Sequence, residues 1–211
     1  MNCEKIIKMA NYFYSIAVSK ELPPDSKNLK IILKNLEKLE NYNSRKKYAD
    51  RNLKYLSSGS SRLIYLTNKN TVIKLVKNKK GLAQNKVEAN LKTSSKFINT
   101  CLNFSKDYIW IETNFLENLT EKEFAEFTGL NFKDFGEAIR SGLKNKDISD
   151  KFPEIKKSKI YKDIVGVGKK YKLMGGDIAR ISNWRSKDKR PILSDLGLNK
   201  EVYKEFYEDK S

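Results

Sequence analysis

Leu56-Ser57-Ser58-Gly59-Ser60-Ser61-Arg62-Leu63-Ile64-Tyr65, followed one turn later by Thr71-Val72-Ile73-Lys74-Leu75, is the stretch that decides the fold. β-Branched and aromatic residues favour strands while Ser, Gly and Asn favour turns, so these runs read as strands parted by polar turns. Residues 53–56, 62–66 and 71–76 form a three-stranded meander, with Ser57 to Ser61 and Thr67 to Asn70 as its two connections. Lys74 is the one charge in the last strand.

Upstream, residues 4–20 place Ile6, Met9, Ala10, Phe13, Ile16 and Ala17 at spacings of three and four, the mark of an amphipathic helix. Leu22-Pro23-Pro24-Asp25 breaks it, and Ser26 is placed to cap a second helix with the stripe Leu29, Ile32, Leu33, Leu36 and Leu39. Downstream, residues 81–93 read as a helix that carries Glu88, and 107–112 alternate as a strand. Thr120 and Glu123 form a capping box that opens a helix through Phe124 and Phe127, and a further helix is expected over 132–143. The basic stretch 147–172 contains Pro153, Gly166 and Gly168 and gives no clear periodicity. A short hinge near residues 112–117 joins the strand-rich half to the helix-rich half.

Composition removes whole classes of chemistry. The chain has 211 residues and a formal charge of +17, with no histidine, so Ser-His-Asp and Cys-His nucleophile systems and His-ligated metal centres are excluded. Cys3 and Cys101 stand far apart in no ligand spacing, which fits a reducing compartment, and the broken apolar run at the N-terminus fits neither a signal peptide nor a membrane span. A soluble cytoplasmic protein with no membrane partner is the expectation. Of the 43 basic residues only seven are Arg, and Lys is spread along the chain apart from a denser stretch over 156–172. That pattern supports nonspecific, salt-sensitive attraction to nucleic acid.

The order of strand, small-residue loop, strand, strand with a central Lys, helix with a Glu, then two Asp-bearing turns near the end resembles the protein-kinase-like fold. Ser58, Gly59, Ser60, Ser61 and Arg62 are similar to its phosphate-covering loop, and Thr71-Val72-Ile73-Lys74 to the strand whose Lys meets the nucleotide phosphates. Gln84-Asn85-Lys86-Val87-Glu88 resembles the helix whose Glu pairs with that Lys. Gly175-Gly176-Asp177 through Asn183 resembles the catalytic loop, with glycine where that loop has His and six residues from Asp to Asn where five is usual. Pro191-Ile192-Leu193-Ser194-Asp195-Leu196-Gly197 resembles the strand and turn that hold metal, and it lies eighteen residues after Asp177. The set looks most like small kinase-like proteins of tailed bacteriophages, which share the Gly-Ser-Ser-Arg loop, the Gln-Asn-x-x-Glu helix and an Asp-x-Gly turn before a tyrosine-rich tail.

The resemblance implies an α+β, bilobal protein-kinase-like fold. Two N-terminal helices over residues 1–45 precede a small antiparallel N-lobe sheet with one helix over 46–113. An abbreviated, mostly helical C-lobe covers 114–211. It implies ATP and Mg²⁺ as cofactors. Lys74, set by Glu88, would meet the α- and β-phosphates, Asn183 and Asp195 would hold the metal, and Asp177 would orient an acceptor hydroxyl. Arg62 and Arg180 are further charges available to phosphate. The activity implied is phosphotransfer to an unknown acceptor. A second reading is a catalytically silent module of this fold that binds a protein partner or senses nucleotide, and a third is a basic nucleic-acid-associated protein. Only fourteen residues come after Gly197, so neither an activation segment nor the later C-lobe helices of protein kinases are expected.

Overall fold

The computed structural model describes residues 26–208. The helix expected over 4–20 lies outside the described residues. Helix α1 (Ser26–Lys38) buries Leu29, Ile32, Leu33 and Leu36, while Leu39 falls just beyond its end, half-buried. Helix α2 (Tyr42–Asn52) is not expected from the sequence, which is polar here, and Ala49 is its buried residue. Asn41 caps it by accepting from the Ser44 amide at 2.9 Å. The boundary expected at residue 46 falls inside this helix.

Strands β1 (Lys54–Ser58), β2 (Arg62–Leu66) and β3 (Thr71–Val76) form the expected meander. The turn before β3 closes at Asn70, whose φ of 56° is the left-handed conformation that Asn tolerates. Helix α3 (Lys79–Asn90) comes next, capped by Asn78, whose side chain accepts from the Gly81 amide. Strand β4 (Cys101–Phe104) and strand β5 (Trp110–Asn114) complete a five-stranded antiparallel sheet in the order β1-β2-β3-β5-β4. The strand expected at 107–112 therefore begins later. Tyr108 turns left-handed at φ 57° and its amide closes a turn onto the Ser105 carbonyl, so extended pairing cannot start before it.

Period two decides what each face of the sheet meets. Ile73 and Leu75 join Leu63, Tyr65, Leu33 and Leu36 in one apolar core, so α1 and α2 cover that face. Lys74, between them in sequence, points to the other side, toward α3. β3 is buried along its whole length.

Two residues after β5 the chain enters the second part through β6 (Glu117–Asn118) and α4 (Glu121–Thr128), which opens with the expected capping box. Helix α5 (Phe132–Leu143) has the expected bounds. The unassigned basic stretch folds as α6 (Pro153–Lys157) and α7 (Lys159–Lys170). Gly168 sits inside α7 with the Leu143 side chain packed against it, 2.7 Å from where a Cβ would stand. A short turn of helix, α8 (Gly175–Ile178), and a 3-10 turn (Ile181–Asn183) lead into the hairpin β7 (Trp184–Lys187) and β8 (Arg190–Leu193), and α9 (Lys200–Phe206) closes the described chain. Trp184 is fully buried at the centre of this second core, edge-on to Phe124, Phe132 and Phe135. The architecture is the expected α+β one, an antiparallel sheet with one inserted helix and then a mostly helical part with its own core.

No helix among the described residues is long and apolar enough to cross a membrane. Among the lysines of 156–172, Lys162, Lys169 and Lys170 are exposed, and the others form surface ion pairs. Lys156, Lys157, Lys159 and Lys172 pair with Asp147, Glu154, Asp163 and Glu201.

Candidate functional site

The strand Lys and the helix Glu meet. Lys74 Nζ donates to Glu88 Oε2 at 2.6 Å and to the Ser194 carbonyl at 2.9 Å, and the Lys74 and Glu88 side chains are almost fully buried. β3 delivers Lys74 because its register opposite Ile64 on β2 and Ile111 on β5 sends residue 74 to the α3 side. Asn85 locks helix to strand, its amide donating to the Lys74 carbonyl at 3.1 Å and to the Tyr108 carbonyl at 3.0 Å.

Arg62 enters this pair from β2. Its Nη1 donates to Glu88 Oε1 at 2.5 Å and its Nη2 to Asp195 Oδ1 at 2.8 Å. Glu88 thus serves two cations with its two oxygens, and Arg62 bridges the two carboxylates. A buried charge is tolerable only when paired in this way. Burial alone would lower the Arg62 pKa, but Glu88 and then Asp195 hold it above its ordinary value.

The small-residue loop leans on the same helix. Ser61 Oγ donates to Gln84 Oε1 at 2.5 Å, the Ser61 carbonyl accepts from the Lys77 amide at 2.8 Å, and Asn78 donates to the Ser60 carbonyl at 3.1 Å. Lys77 Nζ reaches Ser58 Oγ and the Gly59 carbonyl. A Cβ on Gly81 would lie 2.2 Å from the Ser61 carbonyl oxygen, so only glycine lets the helix come this close. Ser58, Gly59 and Ser60 stay exposed, while the side chains of Ser61 and Arg62 turn toward α3.

Asp195 lies just past the end of β8. Burial would raise its pKa, but the charges of Arg62 and Lys74, the Arg62 hydrogen bond and the Gly197 amide hold it down to about 2. Its side chain is nonetheless 44 % exposed, the open edge of the cluster. Gly197 is the glycine of this turn for reasons of contact: a Cβ there would be 2.7 Å from the Gln84 Cβ. The φ of Gly197 is not positive, Gly129 being the glycine with positive φ among the described residues.

Asp177 lies across from Asp195 with 15 % side-chain exposure and a 3.5 Å contact to Arg180 Nη1. Burial first, and then the Asp195 charge, raise its pKa above the ordinary value, opposed in part by Asn183, Arg180 and Arg62. A carboxyl raised on folding lends full stability only below its unfolded pKa of about 3.9, and that stability is lost as pH rises through the folded value. Ionised Asp177 is therefore a cost at pH 7. Asp177→Asn is expected to raise the melting temperature at pH 7, and the gain should shrink toward pH 3; a lower melting temperature at pH 7 would contradict this environment.

Asn183 is tied to both aspartates through the backbone. Its side-chain amide donates to the Asp177 carbonyl at 2.9 Å, and its own carbonyl accepts from the Ser194 amide at 2.9 Å and the Asp195 amide at 3.4 Å. Mg²⁺ asks for oxygen ligands in tight octahedral geometry. Of the two expected ligands, Asp195 has Oδ1 held by a guanidinium and Asn183 has its side-chain nitrogen bound to the Asp177 carbonyl, so Arg62 competes with a metal ion for the Asp195 carboxylate. No group of three or more acidic or Cys side chains among the described residues is arranged to hold a metal ion.

Lys74, Glu88 and Asp195 are thus brought into one chain of contacts, with Asp177 beside its open end. What the sequence does not reveal is that Arg62 joins them. A recess of about 410 Å³ adjoins the Asp177 loop, lined by Arg180, Ser182, Lys133 and Arg140 among others.

No protein-family model matches the chain, and no curated protein matches it. Among solved structures it is similar to APH(2'')-IIa in a ternary complex with streptomycin and ATP. The identity is 18 % and the TM-score 0.35, over 75 % of this chain and 72 % of that one. It is similar also to ADP-bound aminoglycoside phosphotransferase APH(2'')-Ib, at 17 % identity and TM-score 0.36, over 82 % of this chain and 71 % of that one. At such distances the fold rests on the strand order and register given above.

Proposed function

We propose that the chain is a nucleotide-binding module of kinase-like architecture that takes a nucleoside triphosphate such as ATP between the sheet and the helical part. The observation that carries this is the Lys74–Glu88 pair at 2.6 Å, formed from a central strand and the helix behind it. An ammonium has three protons; two are committed to Glu88 and the Ser194 carbonyl, leaving one for a phosphate oxygen. In this reading residues 46–113 and 114–211 are the two lobes, and the exposed Ser58, Gly59 and Ser60 cover the phosphates. The likeness of the Gly59-Ser60-Ser61-Arg62 loop to bacteriophage proteins supports a viral setting, with the host cytoplasm as its compartment.

A thermal-shift titration tests it. A ligand at a hundred times its Kd stabilises by about 2.7 kcal/mol, roughly 5–11 °C for a chain of this size. ATP is expected to raise the melting temperature saturably and Lys74→Met to remove the effect. No shift at millimolar ATP, with or without Mg²⁺, would sink the reading.

A second reading, phosphotransfer to an acceptor, is favoured by one observation: Asp177, with its raised pKa, stands beside Asp195, and Arg180, which contacts it at 3.5 Å, lines the 410 Å³ recess. A carboxylate there can accept the proton of an acceptor hydroxyl. Turnover of labelled ATP that disappears in Asp177→Ala supports it; turnover unchanged in that variant rules out this role.

A further inference from the structure

Arg62 is placed on β2 opposite Val76, with a side chain only 7 % exposed, and its two terminal nitrogens are divided between a helix carboxylate and a carboxylate 133 residues further along the chain. We propose that Arg62 is the resident cation of this centre: it stands at Asp195 where a divalent metal ion would otherwise bind, so the chain takes nucleotide without a metal on Asp195. The second half of that statement rests on the nucleotide-binding reading; the first half does not.

Charge, room and geometry all point the same way. Arg62 and Lys74 are matched by Glu88 and Asp195, so these four side chains are already neutral among themselves. A divalent ion on Asp195 would face the guanidinium bonded at 2.8 Å to the same carboxylate, and like charges that close repel. Room is short on the helix side, since a Cβ on Gly197 would be 2.7 Å from the Gln84 Cβ and 3.1 Å from Glu88 Oε1. Arg62 cannot easily swing away either. Its side chain passes Gly81, where a Cβ would be 3.3 Å from the Arg62 Cγ, and Asn85 Oδ1 lies 3.4 Å from Nη1. A planar guanidinium spans two carboxylates with fixed directions, which an ammonium or a hydrated ion does not reproduce.

Two measurements separate this from its alternatives. In the first, Mn²⁺ is titrated into the nucleotide-free protein and followed by water-proton relaxation, for the wild type and for Asp195→Asn. The curves are expected to coincide, and a Mn²⁺ site present in the wild type and lost in Asp195→Asn would overturn the proposal whatever happens with nucleotide. In the second, a fluorescent ATP analogue is titrated in excess EDTA and in excess Mg²⁺. Dissociation constants within threefold of each other are expected; a tenfold or greater gain with Mg²⁺ that Asp195→Asn removes would overturn it. Absence of binding in both buffers would refute the nucleotide reading alone, and the Mn²⁺ comparison would still decide on Arg62. Arg62→Gln, if folded, is expected to gain Mn²⁺ binding that Asp195→Asn then abolishes.

Discussion

Glu88→Gln is expected to destabilise the protein by about 3–5 kcal/mol, the usual cost of leaving a buried charge without its partner. Gln keeps the shape but offers one oxygen, while Arg62 and Lys74 each require one, at 2.5 and 2.6 Å. Whichever cation is satisfied, the other faces an amide N–H₂ that can only donate. The melting temperature should fall by roughly 6–20 °C for a chain of this size. Thermal unfolding at pH 7 checks it, and a fall under about 2 °C would mean that the carboxylate is not shared as described. Acid should act in the same direction at Asp195. A carboxylate held at about 2 lends stability that is present above its unfolded pKa, about 3.9, and lost as pH drops through the folded value.

Trp184→Ala should cost about 3–5 kcal/mol by cavity formation alone. The indole is fully buried, packs edge-on against three Phe rings and donates from Nε1 to the Ile178 carbonyl at 2.7 Å. That hydrogen bond fixes the residue next to Asp177, so the substitution also loosens the loop that carries it. Trp184→Phe divides the two effects. It keeps most of the packing and strands the Ile178 carbonyl, at a cost of about 1–3 kcal/mol. Chemical denaturation of both variants checks the order; equal losses would show that packing is not what the ring contributes.

The elements read most accurately from sequence are those whose local chemistry agrees with their tertiary setting. β2 and β3 fall where β-branched residues alternate between turn residues, and α5 starts at Asn131, which accepts from the Lys133 and Asp134 amides. α2 escapes notice because it has no apolar stripe; only Ala49 is buried, and Tyr48 is engaged through its hydroxyl by Asn35. α7 is hidden by Gly166 and Gly168, residues that argue against a helix locally, though Gly168 lets the Leu143 side chain pack close against it. At the site, Lys74, Glu88 and Asp195 are legible because each sits in a recognisable local frame. Arg62 is not. Its nearer carboxylate partner is 26 residues away and its farther one 133, and spacing along a chain says nothing about contacts of that range.

That separation also sets an order of assembly on the ribosome. The hairpin, β3 and α3 emerge early and can bring Arg62 and Lys74 onto Glu88, leaving this trio one positive charge in excess. At synthesis rates of about 5–20 residues per second, Asp195 is made roughly 7–27 s after Arg62. Through that interval the nascent sheet keeps an unbalanced charge beneath its helix, until Asp195 leaves the exit tunnel and neutralises it.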